Sequence, residues 1–183
     1  MTGEASQLTT PPRSVGSVAK WNAWSHSLIG QITMIDSLLT YLLALADARS
    51  IDAAERLVET YARVNLVRRA DLLQQLPDPP GYVGGFEVAL VADWVRRLAV
   101  FRNQLAHATI VEATAGTAVL FSFYRGRQRE ARVGRGEMEY AHKMARAARA
   151  GLSELLPACA DLEVWAHFEG FDEGQLQGQE VSQ

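Results

Sequence analysis

The sequence predicts an all-α fold: a four-helix antiparallel up-down bundle with a small β-hairpin inserted before the last helix. Three observations lead there. Apolar residues recur at steps of three and four along four long segments, which is the spacing of one helix face. The connections between these segments are short. Between the third and the fourth the pattern changes, and residues 109–133 become rich in β-branched and aromatic side chains.

Each element has its own reason. Residues 1–17 are polar, carry Pro11-Pro12 and show no periodicity, so they read as a flexible arm. Over 18–46 the residues Trp21, Trp24, Leu28, Ile32, Ile35, Leu38, Leu42 and Leu45 make one apolar face. A second helix is predicted over 52–76, with Asp52 and Glu55 as a capping pair and Pro77 as its stop. The stretch 77–85 (PDPPGYVGG) is a loop. A third helix is expected over 86–108, with Val88, Val91, Val95, Leu98 and Leu105 inward. Thr117 to Tyr124 is the clearest strand, and Gly126 turns the chain into a returning strand at 129–133, so the hairpin spans about 117–133. Gly136, Glu137 and Glu139 open the last helix, whose face is Ala141, Ala145, Ala148, Leu152 and Leu155, and Pro157 closes it. The bundle is therefore expected over 18–157, and 158–183 as an acidic, partly ordered tail.

Composition narrows the function classes. The chain has 183 residues, 48% hydrophobic and 21% charged, with a formal net charge of -3. That balance excludes full disorder and a fibre. No uninterrupted apolar run reaches 18 residues, and Leu38–Leu45 is too short to span a bilayer, so a cytoplasmic protein with no membrane partner is expected. Cys159 is the lone cysteine, which excludes an internal disulfide framework and a Cys-based zinc site. Lys20 and Lys143 are the only lysines. Five arginines and one glutamate fall between Arg125 and Arg135, whereas residues 161–183 hold six acidic residues and no Lys or Arg. A local basic patch of this kind can bind a polyanion despite the acidic total. Arg125, Arg127, Arg129 and Arg132 are accordingly candidate RNA-binding residues, with Phe123 and Tyr124 beside them as stacking platforms; a solvated hairpin tip explains them equally well.

The chemistry centres on Arg102-Asn103-Gln104-Leu105-Ala106-His107, at the end of the third helix. Asn103 and His107 are four apart, so on a helix they share a face and can hydrogen-bond, which would fix the imidazole tautomer. Arg102 lies five positions before His107, about 140° around the helix. By spacing alone the group also reads as a satisfied structural histidine.

These six residues, after an apolar helix and before the last helix of a bundle, resemble the motif of the HEPN domain family: an arginine, a polar residue, and a histidine a few positions on. The resemblance implies a metal-independent endoribonuclease that works as a homodimer, often a toxin or phage-defence effector, with paired motifs forming one RNA-cleaving site. It implies His107 as acid and base, Arg102 as phosphate clamp and Asn103 as orienting residue, with no metal and no cofactor. An antitoxin or a nucleotidyltransferase partner is also implied. Some members carry a tyrosine two positions past the histidine for nucleotide attachment; here Thr109 stands there. Two alternatives stay open: a non-catalytic HEPN module binding nucleotide, RNA or a protein, and a bundle that binds a small ligand or metal. For the last, Glu139 and His142 form a single Glu-x-x-His step, and His26, His107 and His142 are the conceivable zinc set.

Overall fold

A computed structural model describes residues 15–76, 84–124 and 126–159. The protein is mostly helical, with one small antiparallel sheet: α1 (Val15–Asp47), α2 (Ile51–Ala62), α3 (Leu66–Gln75), α4 (Val88–Ala106), β1 (Ala108–Ala113), β2 (Thr117–Tyr124), β3 (Arg127–Gly134) and α5 (Arg135–Cys159). Residues 1–14 of the expected arm, 77–83 of the loop and 160–183 of the tail lie outside the described residues, whereas 15–17 are the first residues of α1 and 158–159 the last of α5.

α1 is the axis of the molecule and contacts all four other helices. Its apolar positions go beyond one stripe: Leu28, Ile32, Ile35 and Leu39 face the core, and Leu42 to Leu45 are all buried. A helix that is apolar most of the way round must be covered on most sides. Each such leucine or isoleucine contributes roughly 1.5–3 kcal/mol through burial. By length and composition α1 could also cross a membrane; half of its most apolar window is buried inside the protein. Polar residues such as Thr33, Asp36 and Thr40 interrupt the apolar run, so a search for unbroken runs misses it.

Three expectations about the helices change. The predicted second helix is two helices. Asn65 adopts φ -65 and ψ 152, outside the helical region, and its Oδ1 accepts the N–H of Arg68 at 2.9 Å, capping α3. The α2 cap is Ser50, whose hydroxyl oxygen accepts the N–H of Ala53 at 3.3 Å, and not the Asp52/Glu55 pair. Pro157 does not close the last helix, which runs on to Cys159. A proline removes one N–H, but its φ suits a helix, and near the end the loss is small.

The expected hairpin is a three-stranded meander of order β1-β2-β3, both pairs antiparallel. β1 begins one residue after α4 with no Gly or Pro between them. Gly126, at φ 74, supplies the left-handed conformation that the β2–β3 turn requires. On the inner face Ile110 pairs with Leu120 and Ala118 with Val133, and all four are buried. The far end of β1 is pinned to α1: the Trp21 indole N–H donates to the carbonyl of Thr114 at 2.9 Å.

α4 and α5 approach closely at Gly151. A Cβ there would sit 2.6 Å from Val91 Cγ2 and 3.4 Å from Phe86 Cγ, so only glycine admits this contact.

Candidate functional site

Arg102 and Asn103 lie on the last turns of α4 and are exposed, and His107, also exposed, is the residue that ends the helix. His107 has φ -106 and ψ 9, so the backbone has already left helical geometry. The expected Asn103–His107 hydrogen bond does not form. Asn103 Oδ1 instead accepts from the Arg102 guanidinium at 3.4 Å. The three motif residues therefore divide. Arg102 and Asn103 line a groove between α1, the α2–α3 junction and α4, whereas His107 stands outside it at the α4–β1 junction.

The arginines of the hairpin divide as well. Successive strand residues point to opposite faces. Arg127 and Arg129 pair with Tyr124 and Ser122, on the face that holds Leu120 and Val133 further along. Arg132 pairs with Val119 on the other face, where Glu130 reaches it at 3.7 Å. The expected single basic surface is thus two-sided, because a cluster counted along the sequence ignores strand alternation. Arg125 lies outside the described residues. The same registry sets the sheet end beside the motif: Ala108, next to His107, pairs with Ser122, and Ser122 pairs with Arg129. Two strand spacings, about 10 Å, separate the start of β1 from Arg129. Phe123, one residue past Ser122, is 76% exposed and is the barest large apolar side chain among the described residues.

The groove, of about 370 Å³, contains residues that sequence reasoning missed. Arg69 is only 3% exposed. Its guanidinium hydrogen-bonds the Asp36 carboxylate and the Thr40 hydroxyl, and donates to the Asp36 carbonyl at 3.1 Å. Burial pulls its pKa down, and the Asp36 charge opposes that shift. The signal was present: Leu66, Arg69, Ala70 and Leu73 fall at helix-face spacing, so Arg69 shares a stripe with core residues. Arg96 is likewise half-buried and binds Asp71 through Nε at 3.1 Å and Nη2 at 2.9 Å.

His142 is a structural histidine. Its ring stacks on Trp24 with centroids 5.7 Å apart. Nε2–H donates to the Trp24 carbonyl at 3.3 Å, and Nδ1 accepts from the Gln31 amide at 3.3 Å, an assignment that fixes the neutral tautomer. Burial lowers its pKa, and the nearby Arg146 adds to that; the Trp24 carbonyl opposes both. His26 is exposed on α1. Among the described residues no three His, Cys, Asp or Glu side chains converge as a metal site, so the conceivable zinc set is not assembled. Burial pushes the Cys159 thiol up, away from reactive thiolate.

No protein-family model, curated protein or solved structure matches this chain.

Proposed function

We propose that the protein is a metal-independent endoribonuclease of the HEPN type, a homodimer that acts in the cytoplasm as a toxin or phage-defence effector. The observation that carries this reading is the open position of His107, at the end of α4 beside the arginine-bearing end of the sheet. An imidazole there is wet and reachable by a phosphodiester.

In the reaction a base takes the proton of a ribose 2′-hydroxyl, and that oxygen bonds to the adjacent phosphorus. The P–O5′ bond breaks as an acid protonates the leaving oxygen. A 2′,3′-cyclic phosphate and a 5′-hydroxyl result, with no net redox change and no step that calls on a cofactor. An imidazole can act as the base or as the acid, and two subunits supply one for each role. Arg102 holds the phosphate oxygens with two parallel hydrogen bonds and stabilises the charge that builds on them.

The dimer is supported by the exposed stripe of α4. Leu90, Arg97, Val100, Gln104 and His107 follow heptad spacing, with Leu90 at 42% and Val100 at 54% exposure. In this reading the helices form an antiparallel four-helix bundle, α2 and α3 together taking the second place. An antitoxin is the fitting partner; Thr109 argues against silencing by nucleotide attachment. No membrane partner is included.

One observation favours a second reading, a non-catalytic HEPN module that binds RNA, nucleotide or protein: Asn103 bonds Arg102 and leaves His107 unoriented. Incubation of single-stranded RNA with the protein in excess EDTA separates the two. Cleavage that is lost in a folded His107→Ala variant supports the nuclease. Equal rates in variant and parent would remove His107 from the chemistry, and no cleavage by the parent leaves the binding module.

A further inference from the structure

We propose that the groove between α1, the α2–α3 junction and α4 is a phosphate-binding subsite, separate from the position of His107. Two cationic side chains line it, Arg63 and Arg102, and neither has an acidic partner among the described residues. The other two charged residues in its wall, Arg69 and Asp36, neutralise each other. The groove therefore carries a net positive charge supplied by two guanidinium forks, the geometry that matches phosphate oxygens.

The backbone adds donors of its own. α3 starts in the groove wall, and Leu66 and Val67 are its first two residues. Helix geometry leaves the first N–H groups without intrahelical acceptors, and Asn65 serves only the N–H of Arg68. The amides of Leu66 and Val67 thus remain as donors at the positive end of the α3 dipole. A third, independent sign lies in Arg69: it is almost fully buried, it lines the groove, and its Nε–H finds no acceptor among the described residues. A volume near 370 Å³ admits a phosphate with its attached sugar.

The ligand chemistry is a phosphate group on ribose. It can come from a free nucleotide or from the strand that the proposed nuclease holds; in the second case the subsite rests on that reading, and Arg63 with the α3 amides grips the phosphate next to the one that Arg102 holds. Arg102 faces the groove and belongs to the motif, so occupancy here bears on the site next door.

The test uses the full chain and calorimetric titration with inorganic phosphate and with AMP. It then compares a 5′-phosphorylated single-stranded RNA with its 5′-hydroxyl counterpart, in a His107→Ala background. Arg63→Gln is expected to weaken phosphate-dependent binding at least tenfold, with the circular dichroism spectrum unchanged. Leu66→Pro, which deletes one amide donor at the one helical position where proline is favoured, is expected to weaken it several-fold. Arg149→Gln, exposed on α5 and away from the groove, is expected to leave phosphate and AMP binding unchanged. AMP binding that depends on Arg63 identifies a free nucleotide as the source. Dependence seen only with phosphorylated RNA identifies the strand. Failure of phosphate, AMP and phosphorylated RNA alike to show phosphate-dependent binding, or binding equal in parent and Arg63→Gln, overturns the proposal. Arg63-dependent binding by a protein that cleaves no RNA keeps the subsite and removes the nuclease.

Discussion

The guanidinium of Arg69 lies on the carboxylate of Asp36 and thereby ties α3 to α1, yet the two residues are buried very unequally. The Arg69 side chain is 4% exposed and that of Asp36 40%. Removal of either partner therefore has a different effect. Asp36→Ala leaves a buried cation unpaired and is expected to cost about 3 kcal/mol. Arg69→Met leaves a carboxylate that water can reach and replaces the guanidinium with apolar volume, so about 1 kcal/mol or less is expected. Urea denaturation of both variants checks this order; equal losses would show that burial does not set the asymmetry.

Gly151 gives a second test. Gly151→Ala forces a methyl against Val91, a stiff, fully buried side chain on α4, and is expected to destabilise by about 1–3 kcal/mol. Val91→Ala opens the space, so the double variant should lose less than the sum of the two singles. Additive losses would mean that the helices separate instead.

His142 sets an acid limit. Its folded pKa lies below the usual 6.5, so the neutral ring stabilises the fold above that value, and the contribution is lost as pH falls through the lowered pKa. Protonation makes Nδ1 a donor facing the Gln31 amide N–H, although Gln31 Oε1, buried and without a partner, can turn to accept it. Chemical denaturation at pH 7.5 and pH 5 should show the fall in the parent, and a smaller one in His142→Gln. An identical pH dependence in both would assign the loss to other groups.

How much of this was legible beforehand varies by element. The α1 face was readable from Leu28, Ile32 and Ile35 because a long helix repeats its signal many times. The break at Asn65 was not, since no glycine or proline marks it and the apolar period continues on both sides. β1 was blurred because His107 alone separates it from α4. The motif could be read as a string, but its division could not: Arg102 and Asn103 face a groove that exists only because α2 and α3 are separate. The burial of Arg69 is written in the spacing, since it shares a helix stripe with Leu66, Ala70 and Leu73.

Arg102→Lys probes the clamp. Lysine keeps the charge but not the planar fork, so RNA cleavage is expected to fall by up to roughly 10²-fold while the fold is retained. Parental rates in this variant would take Arg102 out of the transition state.

Val100→Asp probes the α4 stripe. A charge placed amid the exposed apolar positions should convert a dimer to a monomer in light-scattering measurements and abolish a shared active site. A parent that is already monomeric would rule out the composite site directly.

The three residues between α2 and α3 have an effect out of proportion to their number. A continuous rod over the same stretch would present a smooth cylinder, with nowhere for a small anion to settle. One asparagine's preference for starting a helix, exercised in mid-segment, notches that cylinder and turns a plain strut into a receptacle. Loss of that single amide side chain is expected to smooth the notch away while the guanidinium groups of Arg63 and Arg102 in its wall stay in the chain.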